Sequence, residues 1–220
     1  MALANYGDLK TAVAKYLQRS DLTTYIPDFV TLCQAKVARV LRTLDIQTTR
    51  SSTLSTETLT LPSDFLELVT LHLTYSGNVV YPDYVTPERM KQIKTTTPTV
   101  TGIPLAYTIH LGKTEYYPGP QAGTTFTEVM AYYQRITAFS ADGDVNWLLT
   151  NYPDIYLYGS LSEAEAFVKD DARIQIWKSL YQEAVASLEL MDDRKRVKRP
   201  AEVDLGLPGQ RGSGNIETGF

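Results

Sequence analysis

The sequence predicts an α+β protein: a helical bundle built from both ends of the chain, an antiparallel β domain inserted between its halves, and an extended C-terminal tail. Three observations predict it. Apolar residues recur at three- and four-residue spacing near both ends. The middle alternates apolar with Thr, Ser and Tyr. Beyond Pro200, Gly, Pro and polar residues dominate. The expected boundaries are 1–48 with 142–193 for the bundle, 49–141 for the β domain and 194–220 for a flexible basic arm.

From Asn5 to Arg19, Leu9, Val13, Tyr16 and Leu17 mark a short amphipathic helix whose polar start can cap its first turn. After the turn-like Ser20 to Thr24, Pro27 suits a first helical turn, and Phe29, Val30, Cys33, Val37, Val40, Leu41 and Leu44 form one stripe. The β region should hold strands near 52–61, 65–75, 79–82, 104–111, 114–118 and 124–135. Its turns fall at Gly77-Asn78 and Pro118-Gly119-Pro120, in a meander or small sandwich. Thr86-Pro87 should open a helix of about two turns. The stretch Asn146 to Gly159 opens one helix of the second block. In the last helix, Ile174, Trp177, Tyr181, Ala184, Leu188 and Met191 form a seam that needs a partner helix.

With 220 residues, 43% hydrophobic and 21% charged, the chain can bury a substantial core, which excludes disorder of the whole. Its apolar runs are too short for a membrane span, and its first residues lack a signal-peptide pattern. A single cysteine, Cys33, supports neither an internal disulfide nor structural zinc, and its place on an apolar stripe reads as core. The net charge of −4 divides into +2 over Asp193 to Phe220 and −6 over the rest. An acidic body does not seek DNA phosphates, but it can line a passage through which DNA slides.

No motif supplies a catalytic, cofactor or metal set. His72 and His110 fall on the polar alternation of strands and read as solvated or hydrogen-bonded. Asp142-Gly143-Asp144-Val145-Asn146 imitates the start of a calcium loop. Trp147 then replaces its glycine and Pro153 its closing glutamate, so a helix-capping loop is the better reading. The glycines of Gly206 to Gly214 lack the strand and the Gly-Lys-Ser/Thr ending of a phosphate loop. Glu163, Glu165, Asp170 and Asp171 read as solvated helix ends, with a paired-carboxylate hydrolase site as the rival. The fifteen tyrosines suit both interfaces and sheets. The basic run Arg194, Lys195, Arg196, Lys198 and Arg199 can be a helix end, a nucleic-acid patch or a docking arm; its position before a Pro/Gly tail favours the arm.

Several segments together resemble the head-to-tail adaptor (connector) proteins of tailed, especially short-tailed, bacteriophages. They are Asp8-Leu9-Lys10-Thr11-Ala12-Val13, Ser20-Asp21-Leu22-Thr23 to Pro27, Leu41-Arg42, Leu61-Pro62-Ser63-Asp64-Phe65-Leu66-Glu67, Tyr132-Tyr133-Gln134-Arg135-Ile136, and Asn146 to Gly159 with Ser162-Glu163-Ala164. The resemblance reaches to about residue 192. It implies a structural virion protein, assembled in the host cytoplasm, without catalysis or cofactor. A ring of about twelve copies would sit beneath the portal, extend its DNA channel and offer a platform to a nozzle or tail-tube protein. It implies a bundle forming the ring wall, a β domain facing the tail and an arm at Arg194 to Arg199 reaching the portal. A sequence-nonspecific DNA-binding module is the alternative from another class.

Overall fold

The computed structural model describes residues 3–19, 21–98, 100–168 and 171–196. Two helices open the chain, α1 (Tyr6–Leu17) and α2 (Ile26–Val40), followed by a 3₁₀ turn at Leu44–Ile46. The β region holds β1 (Gln47–Leu54), β2 (Thr58–Thr60), β3 (Phe65–Tyr75), β4 (Asn78–Val80) and β5 (Asp83–Tyr84). Helix α3 (Pro87–Thr96) then precedes β6 (Ala106–His110), β7 (Lys113–Tyr117) and β8 (Phe126–Gln134). Three helices close the described chain: α4 (Trp147–Asn151), α5 (Pro153–Val168) and α6 (Asp171–Lys195). The architecture is the expected α+β mixture of helices and largely antiparallel sheet.

One core joins α1, α2, α4, α5 and α6, with Leu9, Val13, Phe29, Val37, Leu161 and Leu188 among its buried members. Helix α5 is its centre. Ile155, Tyr156, Leu157, Ser160, Leu161 and Ala164 are buried on several sides of that helix, as expected of one enclosed by neighbours. The seam of α6 runs through Ala184 and Leu188 to Asp192, whereas Met191 is 45% exposed.

Helix ends follow local chemistry. The Asn5 side chain accepts from the Asp8 amide at 2.8 Å and caps α1. The apolar stripe of α2 predicts a helix reaching Leu44, but it stops at Val40. Leu41 turns extended and buries its side chain, while the Arg42 guanidinium donates to the Ala38 and Leu41 carbonyls at 3.2 and 2.7 Å. The single helix expected from Asn146 is two, because Pro153 disfavours helical backbone at Tyr152, which sits at φ −139°, ψ 60°.

The β region is not a meander. Its two four-stranded sheets have the orders β1-β8-β3-β4 and β2-β7-β6-β5, and β5 pairs parallel with β6. The expected strand at 52–61 is split between the sheets: β1 pairs with β8 and β2 with β7. Leu54, Leu71, Leu73, Phe126 and Met130 of the first sheet share a core with Tyr116 of the second, the sandwich alternative. Between β3 and β4, Ser76 and Gly77 both hold positive φ, 48° and 80°, as a tight two-residue hairpin requires.

Gly159 fixes the separation of three helices. A Cβ there would overlap Cys33 Sγ of α2 and lie 3.1 Å from ring carbons of Tyr181 of α6. Gly159→Ala is therefore expected to lower stability by about 1–3 kcal/mol through overpacking. In thermal unfolding, adding Cys33→Ala should recover part of that loss, and strict additivity would contradict the shared contact.

Candidate functional site

The basic residues singled out by sequence begin at the end of α6, where the helices meet the sheets. The helix runs through Lys195, and the Arg196 amide donates to the Asp192 carbonyl at 2.9 Å. Arg194, Lys195 and Arg196 thus belong to its last turn rather than to a segment beyond it. Lys198 and Arg199 lie outside the described residues, as do Asp170 and Gly206 to Gly214.

Two of the three described cations are engaged within the chain. Lys195 pairs with Asp45, and the hydrogen bond to that carboxylate leads the causes that raise the Lys195 pKa. Arg196 Nε donates to Asp192 at 2.7 Å, and its other nitrogen donates to the Arg42 carbonyl at 2.6 Å and to the Tyr133 hydroxyl at 3.4 Å. The Asp192 contact leads the causes that raise the Arg196 pKa. Arg194 is exposed and makes no side-chain hydrogen bond or ion pair among the described residues.

Asp192, which the sequence did not flag, organises this junction. It is 4% exposed and accepts from the Leu44 amide at 2.7 Å as well as from Arg196. One carboxylate therefore joins the end of α6 to the 3₁₀ turn that feeds β1. Nearby, Arg42 Nε meets Glu67 of β3 at 2.8 Å, a second tie between bundle and sheets. Together these groups border a cleft of about 270 Å³ lined also by Thr43, Glu189 and Asp193.

The calcium-like loop is a structural cap. Asp144 Oδ2 accepts from the Ser140 amide at 2.6 Å, its hydroxyl at 2.8 Å and the Ala141 amide at 2.8 Å. The backbone carbonyls of Asp144 and Asp142 accept from the Tyr6 and Gly7 amides at 2.9 and 2.8 Å, satisfying free donors at the start of α1. Asn146 accepts from the Leu149 amide at 2.9 Å and donates to the Tyr156 hydroxyl at 2.9 Å, so it caps α4 while fastening α5.

The other candidates are dispersed. The half-buried His72 lies 5.7 Å from the ring of Tyr81, whereas His110 is exposed at the end of β6. Cys33 is 1% exposed, and burial pushes its thiol up to about 12. Glu163 pairs with Lys36 and lines a cleft of about 370 Å³ between α2, α5 and α6. Glu165 is 3% exposed and faces Arg173 at 3.7 Å. No other acid lines the Glu163 cleft among the described residues.

Glu128 of β8 is a further buried acid that sequence reading missed. It is 1% exposed and accepts from Thr114 at 2.9 Å and from the Tyr116 hydroxyl. Alternation with Phe126 and Met130 placed it on the inward face. Burial, then the charge of Glu128, raises the Tyr116 pKa.

Charged groups here close the molecule upon itself, while large apolar groups remain on its outside, including Leu32, Val40, Ile176 and Leu190. The fold is of α+β architecture. The sequence model of the SU10 adaptor protein matches residues 4–204, and the chain belongs to that family. The family comprises structural phage adaptors of the virion, associated with portal and tail, and is not a known enzyme family. No curated protein matches the chain.

Two measurements test these contacts. Asp192→Ala removes the acceptor of the part-buried Leu44 amide and of Arg196 and is expected to cost about 1–3 kcal/mol in urea unfolding; a change under about 0.5 kcal/mol would contradict the linking role. The Asp144 carboxyl is held below its ordinary value of 3.8, chiefly by the Ala141 and Ser140 amides. Its contribution is therefore present above pH 3.8 and is lost as pH falls through the lower, folded value. Asp144→Asn should be less stable than wild type at neutral pH, with the gap narrowing from about pH 4 downward.

Proposed function

We propose that about twelve copies of this chain form a closed ring beneath the portal, continue its DNA channel and provide the surface to which the tail attaches. The observation that carries this reading is the family match over residues 4–204, which spans helices, sheets and the basic run. The bundle of residues 1–48 and 142–193 would form the ring wall. The β domain, residues 49–141, would face the tail, and residues 194–220 would reach the portal.

Electrostatics supports the channel role. A charge of −6 over residues 1–192 repels the phosphate backbone, and at physiological salt that repulsion acts within about 8 Å of the wall. DNA then passes without specific binding. Within the arm, Lys195 and Arg196 fix the starting point, leaving Arg194, Lys198 and Arg199 as the cations for an acidic portal surface. Assembly takes place in the host cytoplasm.

The test is size-exclusion chromatography with light scattering, with and without the cognate portal. It should use the full chain and a truncation ending at Arg196, which keeps the Asp192 and Asp45 contacts. The full chain is expected to elute with the portal and the truncation to lose that association while retaining its fold. Equal association would refute the arm. Isolated protein should bind duplex DNA weakly; an affinity falling about 10³–10⁵-fold between 50 and 200 mM salt would favour a DNA-binding module instead.

A further inference from the structure

The outer face of α6 and a cleft beside α2 are complementary, and we propose that α6 of one copy of this chain seats in the α2 cleft of the next. The inference rests on the ring reading and supplies its subunit contact.

Helix α6 turns Ala184, Leu188 and Asp192 inward. Ile176, Ser179, Glu183, Ala186 and Leu190 then follow one another at alternating three- and four-residue steps on the opposite side, and all are exposed. Ile176 and Leu190 are 57% and 54% exposed. That spacing is the seam of a helix that packs against another element, here left open. Glu183 makes no hydrogen bond or ion pair among the described residues. Glu189 and Asp193 instead line the junction cleft with Arg42 and Arg196 of the same chain, and Arg194 ends the outer face four residues beyond Leu190. Glu183 calls for a cation set in an apolar surround.

The cleft beside α2 offers one. It has a volume of about 420 Å³; Ala35, Ala38, Leu66, Ile136 and Phe139 line it, with Arg39 and Arg135 at the same site. Arg39 is exposed and has no side-chain partner among the described residues. Arg135 spends one N–H on the Phe65 carbonyl at 3.3 Å. Cys33 and Lys36 line the cleft that α2 shares with α5 and α6, whereas Ala35 and Ala38 lie around the far side of α2. A chain's own α6 therefore does not face this second cleft. A helix face with one unpaired carboxylate among apolar residues and a basic, apolar cleft on one molecule make a heterologous contact, which adds copies in one direction until rotation closes the ring.

Cysteine cross-linking tests the pairing. Ala35→Cys and Ala186→Cys are introduced together and separately, virions are purified, and a flexible bismaleimide is added; native Cys33 is too buried to react. The double variant should give a ladder of covalent multimers and each single variant only monomer. Adding Glu183→Arg should reduce the ladder at least tenfold, and adding Arg39→Glu as well should restore it; both positions are exposed, so the fold is retained. Virions that contain the double variant but give no ladder overturn this pairing and leave the ring standing. Dimers from a single variant would overturn it too, by showing like faces together. Absence of the protein from virions overturns the adaptor reading and this contact with it.

Discussion

The close approach of helices at Gly159 is the constraint on which the bundle depends. With only a hydrogen on that residue, α2 reaches α5 through Cys33 while Tyr181 of α6 covers the same point. A bulkier residue would separate the layers and open gaps in a core with close-packed density. The position also explains why Cys33 is a small, inert hydrophobe rather than a reactive thiol.

The second organising element is polar. Loop 140–146 receives the first amides of α1 through two carbonyls, holds its own shape through Asp144, and starts α4 with Asn146. These short-range bonds bring residues from both ends of the chain to one place. Beyond the end of α2, Asp192 does the same for α6 and the turn before β1. The β sandwich is thus hung on two polar clasps, with Glu128 as a buried acid of its own.

Much of the fold was legible because it depends on local chemistry. Helical spacing revealed α1, α2 and α6, Thr86-Pro87 announced α3, and alternation located β3 and β8. Sheet order was not legible, since β1 pairs with β8 across a long sequence separation and nothing in either strand specifies that partner. The end of α2 escaped because its apolar stripe continues into Leu41 and Leu44, although Leu41 enters the core from extended backbone and the half-buried Leu44 opens the 3₁₀ turn. At the candidate site, charge alone marked Arg194 to Arg196. It could not distinguish the exposed Arg194 from Lys195 and Arg196, because Asp45 and Asp192 are brought to them only by folding.

Anchoring the last turn of α6 also determines how the molecule bears load. Tension applied past Arg196 meets the guanidinium contacts to Asp192, the Arg42 carbonyl and Tyr133 of β8, so it is shared between helix and sandwich instead of peeling one helical turn after another. Mechanical strain arriving there would enter at the junction between the two cores.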